Sequence, residues 1–74
     1  MDITIDGGNG FYSICAQTKA GRKWMRRNVQ GTENGSVYTD QTDYAQDIAE
    51  GAFGEDLKVE VNGKEYLGNG VCAQ

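Results

Sequence analysis

The pair Asn-Gly occurs four times in this chain, at Asn9, Asn34, Asn62 and Asn69, and proline is absent. Asparagine and glycine adopt the positive φ of a tight turn most easily, and Asn-Gly is the preferred centre of a two-residue β-hairpin loop. These turns cut the chain into short segments. We therefore expect a fold that consists mainly of short strands.

The length of the chain, 74 residues, limits it to one domain that spans residues 1–74. A domain of this size buries only about 60% of the surface that the unfolded chain exposes, so its stability is small. No window approaches the roughly 18 apolar residues of a membrane span, and the first six residues lack the basic and apolar regions of a signal peptide. We expect a cytoplasmic protein without membrane contact.

The first part of the chain predicts three strands. Apolar and polar residues alternate over residues 2–6, which is typical of a strand with one buried face, and residues 6–10 interrupt that strand. Residues 11–18 are rich in strand formers, residues 19–21 suit a short turn, and residues 22–29 can return as the partner strand. This pattern predicts a β-hairpin.

One helix is predicted after a polar loop at residues 30–37. It begins near Thr39 or Asp40 and ends near Gly51, with Thr39 or Thr42 as the N-terminal cap and Gly51 as the terminator. Four apolar residues share one side of this helix and should pack on the sheet: Tyr44, Ala45, Ile48 and Ala49.

A second β-hairpin is predicted near the C-terminus. Residues 57–61 alternate between apolar and charged side chains, Asn62-Gly63 fits a type I′ turn, and residues 64–67 return. A two-residue loop places Val61 opposite Lys64 and Val59 opposite Tyr66. The tail from Gly68 onward offers little apolar surface, so we expect it to be loose.

The fold class that these elements predict is α+β. The sheet is antiparallel and has four to five short strands, and one amphipathic helix packs on one of its faces. The expected order is β-ββ-α-ββ.

The residues that enzymes use most often are missing. The chain has no histidine, which removes the commonest general base and metal ligand. Residues 7–10 are glycine-rich, but no Lys-Ser or Lys-Thr follows them, and Cys15 and Cys72 form no Cys-x-x-Cys motif. We expect no catalytic activity, no cofactor and no metal. Whether the two cysteines pair stays open.

Charge is segregated along the chain, whose net charge is −4. Five of the seven basic residues lie in the predicted hairpin at residues 19–27, together with Trp24. Residues 40–56 hold six acids and no base. Four of these acids fall within about 80° of arc on the predicted helix and form a carboxylate ridge. The ridge consists of Asp40, Asp43, Asp47 and Glu50.

These charges allow three interpretations besides a solvated surface. The ridge can present carboxylates to a basic protein partner, with Trp24, Arg26 and Arg27 as further contacts, since tryptophan and arginine often anchor interfaces. The basic hairpin at residues 19–27 can instead bind nucleic acid as a small binding or regulatory module, although the acidic balance of the whole chain opposes this. A third interpretation is a homo-oligomeric structural protein, such as a homodimer.

The acidic helix at residues 39–51, the hairpin beginning at residues 57–63, the short length and the acidic balance resemble small proteins encoded by phages and prophages, among them anti-CRISPR proteins. The resemblance lies in overall character and contains no diagnostic motif. It implies a non-enzymatic inhibitor in the host cytoplasm. Such an inhibitor acts by stoichiometric binding to a host protein complex, such as a CRISPR–Cas effector. The resemblance assigns no role to any single residue.

Overall fold

Two helices and six strands make up the computed structural model of the chain, which describes all of residues 1–74. The α+β class is confirmed, but the sheet has more strands than predicted and a second helix is present. The elements in chain order are β1 (Ile3–Gly8), β2 (Phe11–Ala16), α1 (Lys19–Asn28), β3 (Ser36–Thr39), α2 (Thr42–Gly54), β4 (Val59–Val61), β5 (Lys64–Gly68) and β6 (Val71–Cys72).

The six strands form one mixed sheet in the order β3-β2-β1-β4-β5-β6. The expectation of a purely antiparallel sheet was wrong at one pair, because β1 and β4 are parallel, with Ile3 beside Val59 and Ile5 beside Val61. Two helices and two strands separate β1 from β4 in the chain. The chain therefore crosses the sheet before β4, and β4 runs in the same direction as β1.

The Asn-Gly pairs all adopt the positive φ angles that their sequence predicts. The φ angles are 55° at Asn9, 54° at Asn34, 49° at Asn62 and 56° at Asn69, and the glycine that follows each is also positive. The first of these turns corrects the predicted pairing. β1 continues past Asp6 to Gly8, and the Asn9-Gly10 turn joins it to β2 in a hairpin.

The predicted strand at residues 22–29 was wrong, because residues 19–28 form α1. Thr18 caps this helix: its Oγ1 accepts a hydrogen bond of 3.1 Å from the backbone N–H of Gly21. Gly21, Met25 and Val29, spaced four residues apart, are buried against the sheet. A helical period therefore fits this segment better than the strand period.

The segment after α1, predicted to be a polar loop at residues 30–37, contains a turn and the start of a strand. Val37 lies in β3, is buried, and stands opposite Ile14 of β2. Before β3, Glu33 and Ser36 exchange two backbone hydrogen bonds around the Asn34-Gly35 turn. The loop is thus a tight turn followed by the edge strand of the sheet.

The apolar side predicted for the second helix is confirmed, because Ala45, Ile48 and Ala49 of α2 are buried. Its predicted ends were wrong. The helix begins at Thr42 after Gln41, which makes no side-chain cap, and it continues past Gly51 to Gly54. Gly51 lies inside the helix, and a Cβ there would lie 3.0 Å from the ring of Trp24.

The C-terminal hairpin is confirmed, with Val61 opposite Lys64 as predicted. The prediction of a loose tail from Gly68 onward was wrong. The Asn69-Gly70 turn leads into β6, which pairs with β5 and places Cys72 opposite Tyr66. The backbone N–H of Ala73 also donates to the carbonyl of Glu65 at 2.8 Å. The last strand is therefore part of the sheet.

Both helices cover the same face of the sheet, and the core lies between the two layers. No helix covers the opposite face of the sheet, which carries the side chains of Thr4, Ser13 and Glu60. Neither helix has the length and hydropathy needed to cross a membrane. The buried apolar residues are Ile3, Ile5, Ile14, Met25, Val29, Val37, Ala45, Ile48, Ala49, Ala52, Val59 and Tyr66.

Candidate functional site

All the cations of α1 lie on its solvent side. With 100° per residue, they occupy an arc of about 140° opposite Gly21 and Met25, the buried residues of the helix. All five side chains are exposed. We call this surface the basic face; its residues are Lys19, Arg22, Lys23, Arg26 and Arg27.

The cations of the basic face form no ion pair within the molecule. No hydrogen bond uses a lysine or arginine side chain, no carboxylate lies within 4.0 Å of a cationic nitrogen, and α1 itself contains no acid. Like charges three or four residues apart oppose helix formation by roughly 0.2–0.5 kcal/mol per pair. Such pairs on α1 are Lys19–Arg22, Lys19–Lys23, Arg22–Arg26, Lys23–Arg26 and Lys23–Arg27.

A groove runs between the basic face and the turn that follows α1. Its volume is about 660 Å³, and no hydrophobic side chain lines it. The groove brings together most of the cations of α1 with neutral polar groups of the turn. Its lining residues are Lys19, Arg22, Lys23, Arg26, Thr32, Asn34 and Gly35.

Trp24 and Arg27, both predicted to contact a partner, lie outside this groove. Trp24 is half-buried, packs on the core and touches Gly51 of α2. It joins the two helices, so its first role is structural. Arg27 is exposed and lines a separate pocket together with Trp24, Glu55 and Leu57. Of the three predicted basic-segment contacts, only Arg26 lines the groove.

The predicted carboxylate ridge is shorter in the structure. Asp43 and Asp47 lie one turn apart on α2 and are exposed. Asp40 is also exposed, but it precedes the helix. It therefore does not lie on the same side of α2 as Asp43 and Asp47. We call Asp43 and Asp47 the acidic face. It lies on the same layer of the molecule as the basic face, on the neighbouring helix.

Glu50, the fourth predicted ridge residue, has a structural contact. Its Oε1 accepts hydrogen bonds of 2.5 Å from the hydroxyl of Tyr66 and from the backbone N–H of Asn69. The Tyr66 hydroxyl and then the Asn69 N–H hold the pKa of Glu50 below its ordinary value of 4.5. Burial, followed by the bond to Glu50, raises the pKa of Tyr66. Glu50 thus ties α2 to the β5–β6 turn.

Asp2 makes a similar contact at the start of β1. Its two carboxylate oxygens accept from the hydroxyl of Thr18 at 2.7 Å and from the backbone N–H of Lys58 at 2.9 Å. The Lys58 N–H first, and the Thr18 hydroxyl second, lower the pKa of Asp2 below its ordinary value of 3.8. Asp2 therefore joins β1, the cap of α1 and the start of β4.

These two carboxylates predict acid sensitivity of the fold. Because both folded-state pKa values are lowered, the unfolded chain binds protons first, and the free energy of unfolding falls as the pH drops below about 5. We expect Glu50→Gln to weaken this dependence, measured by urea unfolding between neutral and acidic pH. The control Glu65→Gln, on the open sheet face, should keep it. An unchanged pH dependence in Glu50→Gln would contradict the role of Glu50.

A smaller, mainly apolar cavity lies between α2 and the sheet. Its volume is about 200 Å³, and its lining includes Tyr12, Ala45, Val61 and Cys72. Cys15 and Cys72 are both free. No three His, Cys, Asp or Glu side chains cluster in a way that could hold a metal ion.

The sequence identified the cations but not their arrangement. Lys19, Arg22 and Lys23 were recognised as basic but not singled out as contacts, and Thr32 and Asn34 were missed. The signal that could have found the arrangement is the helical period of the segment, which places Gly21 and Met25 on one side of a helix and the five cations within about 140° on the other.

Comparison with known proteins adds no assignment: no protein-family model, no curated protein and no solved structure matches this chain.

Proposed function

We propose that this chain is a non-enzymatic binding protein that docks onto a macromolecular complex of a host cell through its charged helical layer. The observation that supports the proposal is the segregation of charge: a basic face on α1 and an acidic face on α2, neither of which forms an ion pair shorter than 4.0 Å within the molecule. Complementary charge steers association and excludes wrong partners, although it adds less to affinity than buried apolar contacts do.

The partner that we propose is a nucleic-acid-handling protein complex, such as a CRISPR–Cas effector, inhibited by occupation of its surface. Such complexes carry cationic surfaces that grip phosphates. The carboxylates of Asp43 and Asp47 can compete for such a surface. This is the function of the phage-encoded inhibitors that the chain resembles.

Plasmid interference in a bacterial strain tests this function. A strain whose CRISPR–Cas system targets a plasmid is transformed with that plasmid, with and without expression of the chain. We expect expression to raise transformation at least about tenfold, and Asp43→Lys/Asp47→Lys to remove this gain, since reversing both charges turns attraction into repulsion.

The matched control is Asp6→Lys/Glu65→Lys, which reverses two carboxylates on the open face of the sheet. It should keep the gain, and circular dichroism should show the same fold in both variants. Equal loss in both would assign the effect to net charge rather than to the acidic face. No gain with the wild-type chain would contradict the proposed partner.

A further inference from the structure

We propose that the groove between α1 and the turn at residues 32–35 is a binding site for the phosphodiester backbone of a nucleic acid. This goes beyond the docking proposed above, because it concerns the other charged helix and a different class of ligand. It also corrects the geometry expected from the sequence, in which a basic ribbon rather than a helix was to contact phosphates.

The side chains of the groove are of the kind that contacts phosphates. Lys19, Arg22, Lys23 and Arg26 supply charge, and Asn34 supplies a neutral amide donor. Arginine and lysine carry most contacts to nucleic-acid phosphates, and asparagine also hydrogen-bonds to them. The side chain of Asn34 makes no hydrogen bond within the molecule, so its amide is available.

The wall of the groove is held in place before any ligand arrives. The hydroxyl of Thr32 donates to the carbonyl of Val29 at 2.8 Å, and the carbonyl of Gly35 accepts from the N–H of Ala16 at 2.7 Å. A Cβ on Gly35 would lie 3.0 Å from Cγ of Arg22, so the stem of Arg22 lies directly over this glycine. The backbone of this turn therefore loses little conformational entropy on binding.

The cations follow a line that suits a linear polyanion. From Lys19 to Arg26 the helix rises about 10 Å, with cations on each successive turn. One strand of duplex DNA carries a phosphate about every 3.4 Å along the axis, so this row spans about three intervals and can follow about four phosphates. The repulsion between the cations of α1 is relieved when a polyanion neutralises them.

The absence of apolar lining favours phosphates over an acidic protein surface. Protein interfaces depend on a buried core in which aromatic and apolar side chains carry most of the affinity. None of the lining residues of this groove is hydrophobic, and Trp24 packs between the helices instead. Backbone binding needs only charge and hydrogen bonds.

Fluorescence anisotropy at low salt tests the proposal. The probes are a labelled oligothymidylate of about 12 nucleotides and a labelled duplex of the same length, which distinguish single from double strands as the source of the phosphodiester. We expect the wild-type chain to bind at least one probe and Arg22→Glu/Arg26→Glu to weaken binding at least about tenfold, since each reversal removes a phosphate contact.

The control Lys58→Glu/Lys64→Glu makes the same change in net charge away from α1 and should bind within about twofold of the wild type. Arg22→Gln/Arg26→Gln is a milder second variant if the first fails to fold by circular dichroism. Equal loss in the lysine control, or no binding of either probe, would overturn the proposal.

The final measurement is competition by an unlabelled polyglutamate whose charge equals that of the oligonucleotide. Competition as strong as that of unlabelled oligonucleotide would overturn the assignment to phosphodiesters. Asp43→Lys/Asp47→Lys should bind the probes at least as well as the wild type, since α2 does not line the groove. Failure of this proposal and failure of the proposed docking by α2 are therefore distinguishable.

Discussion

Gly21→Ala is expected to leave much of the chain unfolded at physiological temperature. A Cβ at this position would overlap the backbone carbonyl oxygen of Asp2 and press on the side chain of Ile3. Neither the carbonyl nor the buried Ile3 can move aside cheaply, because Asp2 also holds Thr18 and Lys58. We expect a loss of about 3 kcal/mol or more, at the upper end of the cost of overpacking.

Urea unfolding followed by circular dichroism measures this loss, and Gly54→Ala is the matched control. Gly54 is also helical, and a Cβ there meets nothing within 4 Å. Alanine at position 54 should leave stability unchanged or raise it by up to about 1 kcal/mol, because alanine favours a helix. Equal midpoints for the two variants would mean that α1 does not pack against the start of β1.

Ile3→Ala is expected to have the other large effect. Ile3 is fully buried on β1, an interior strand of the sheet, between Ala16 of β2 and Val59 of β4. Truncation of a buried isoleucine to alanine costs about 2–5 kcal/mol through lost burial and the cavity left behind. A chain of this length has only about 4–11 kcal/mol in total, so the variant should be marginal at best.

Thermal unfolding of Ile3→Ala and of Leu67→Ala provides the comparison. Leu67 lies on the sheet too, but it is half exposed. Its truncation should cost less than about 1 kcal/mol. A loss for Leu67→Ala as large as that for Ile3→Ala would show that the open face of the sheet is covered, which contradicts the two-layer arrangement.

The elements that the sequence predicts correctly are those defined by neighbouring residues. The hairpin around Asn62-Gly63 combines alternating apolar residues with a turn sequence that has one preferred geometry. The spacing of Ala45, Ile48 and Ala49 likewise defines one side of α2. In both cases the local pattern and the tertiary packing agree.

The segment at residues 19–28 was mispredicted because the strand before it appeared to need a partner. The Asn9-Gly10 turn had already supplied that partner, β1. Once β2 is paired with β1, residues 19–28 are free to follow their helical spacing, with Thr18 as the cap. The parallel pairing of β1 with β4 is not encoded by any short segment, since it joins residues about 56 positions apart.

The candidate site was predictable in composition but not in shape. Counting charges identifies a basic and an acidic segment. Only the fold shows that α1 gathers its cations on one side and that Asp40 lies outside α2. The bond between Glu50 and Tyr66 joins elements far apart in the chain, so the sequence could not indicate that this carboxylate is already engaged.

The salt dependence of oligonucleotide affinity is the most direct measurement of how many cations of α1 are free to bind phosphates. Each phosphate neutralised on a single strand contributes about −0.7 to the slope of log Kobs against log salt concentration. The four cations in the groove therefore predict a slope of about −3 for the wild-type chain, and about −1 to −2 for Arg22→Gln/Arg26→Gln. A slope near zero, or the same slope in both proteins, would contradict a free basic face on α1.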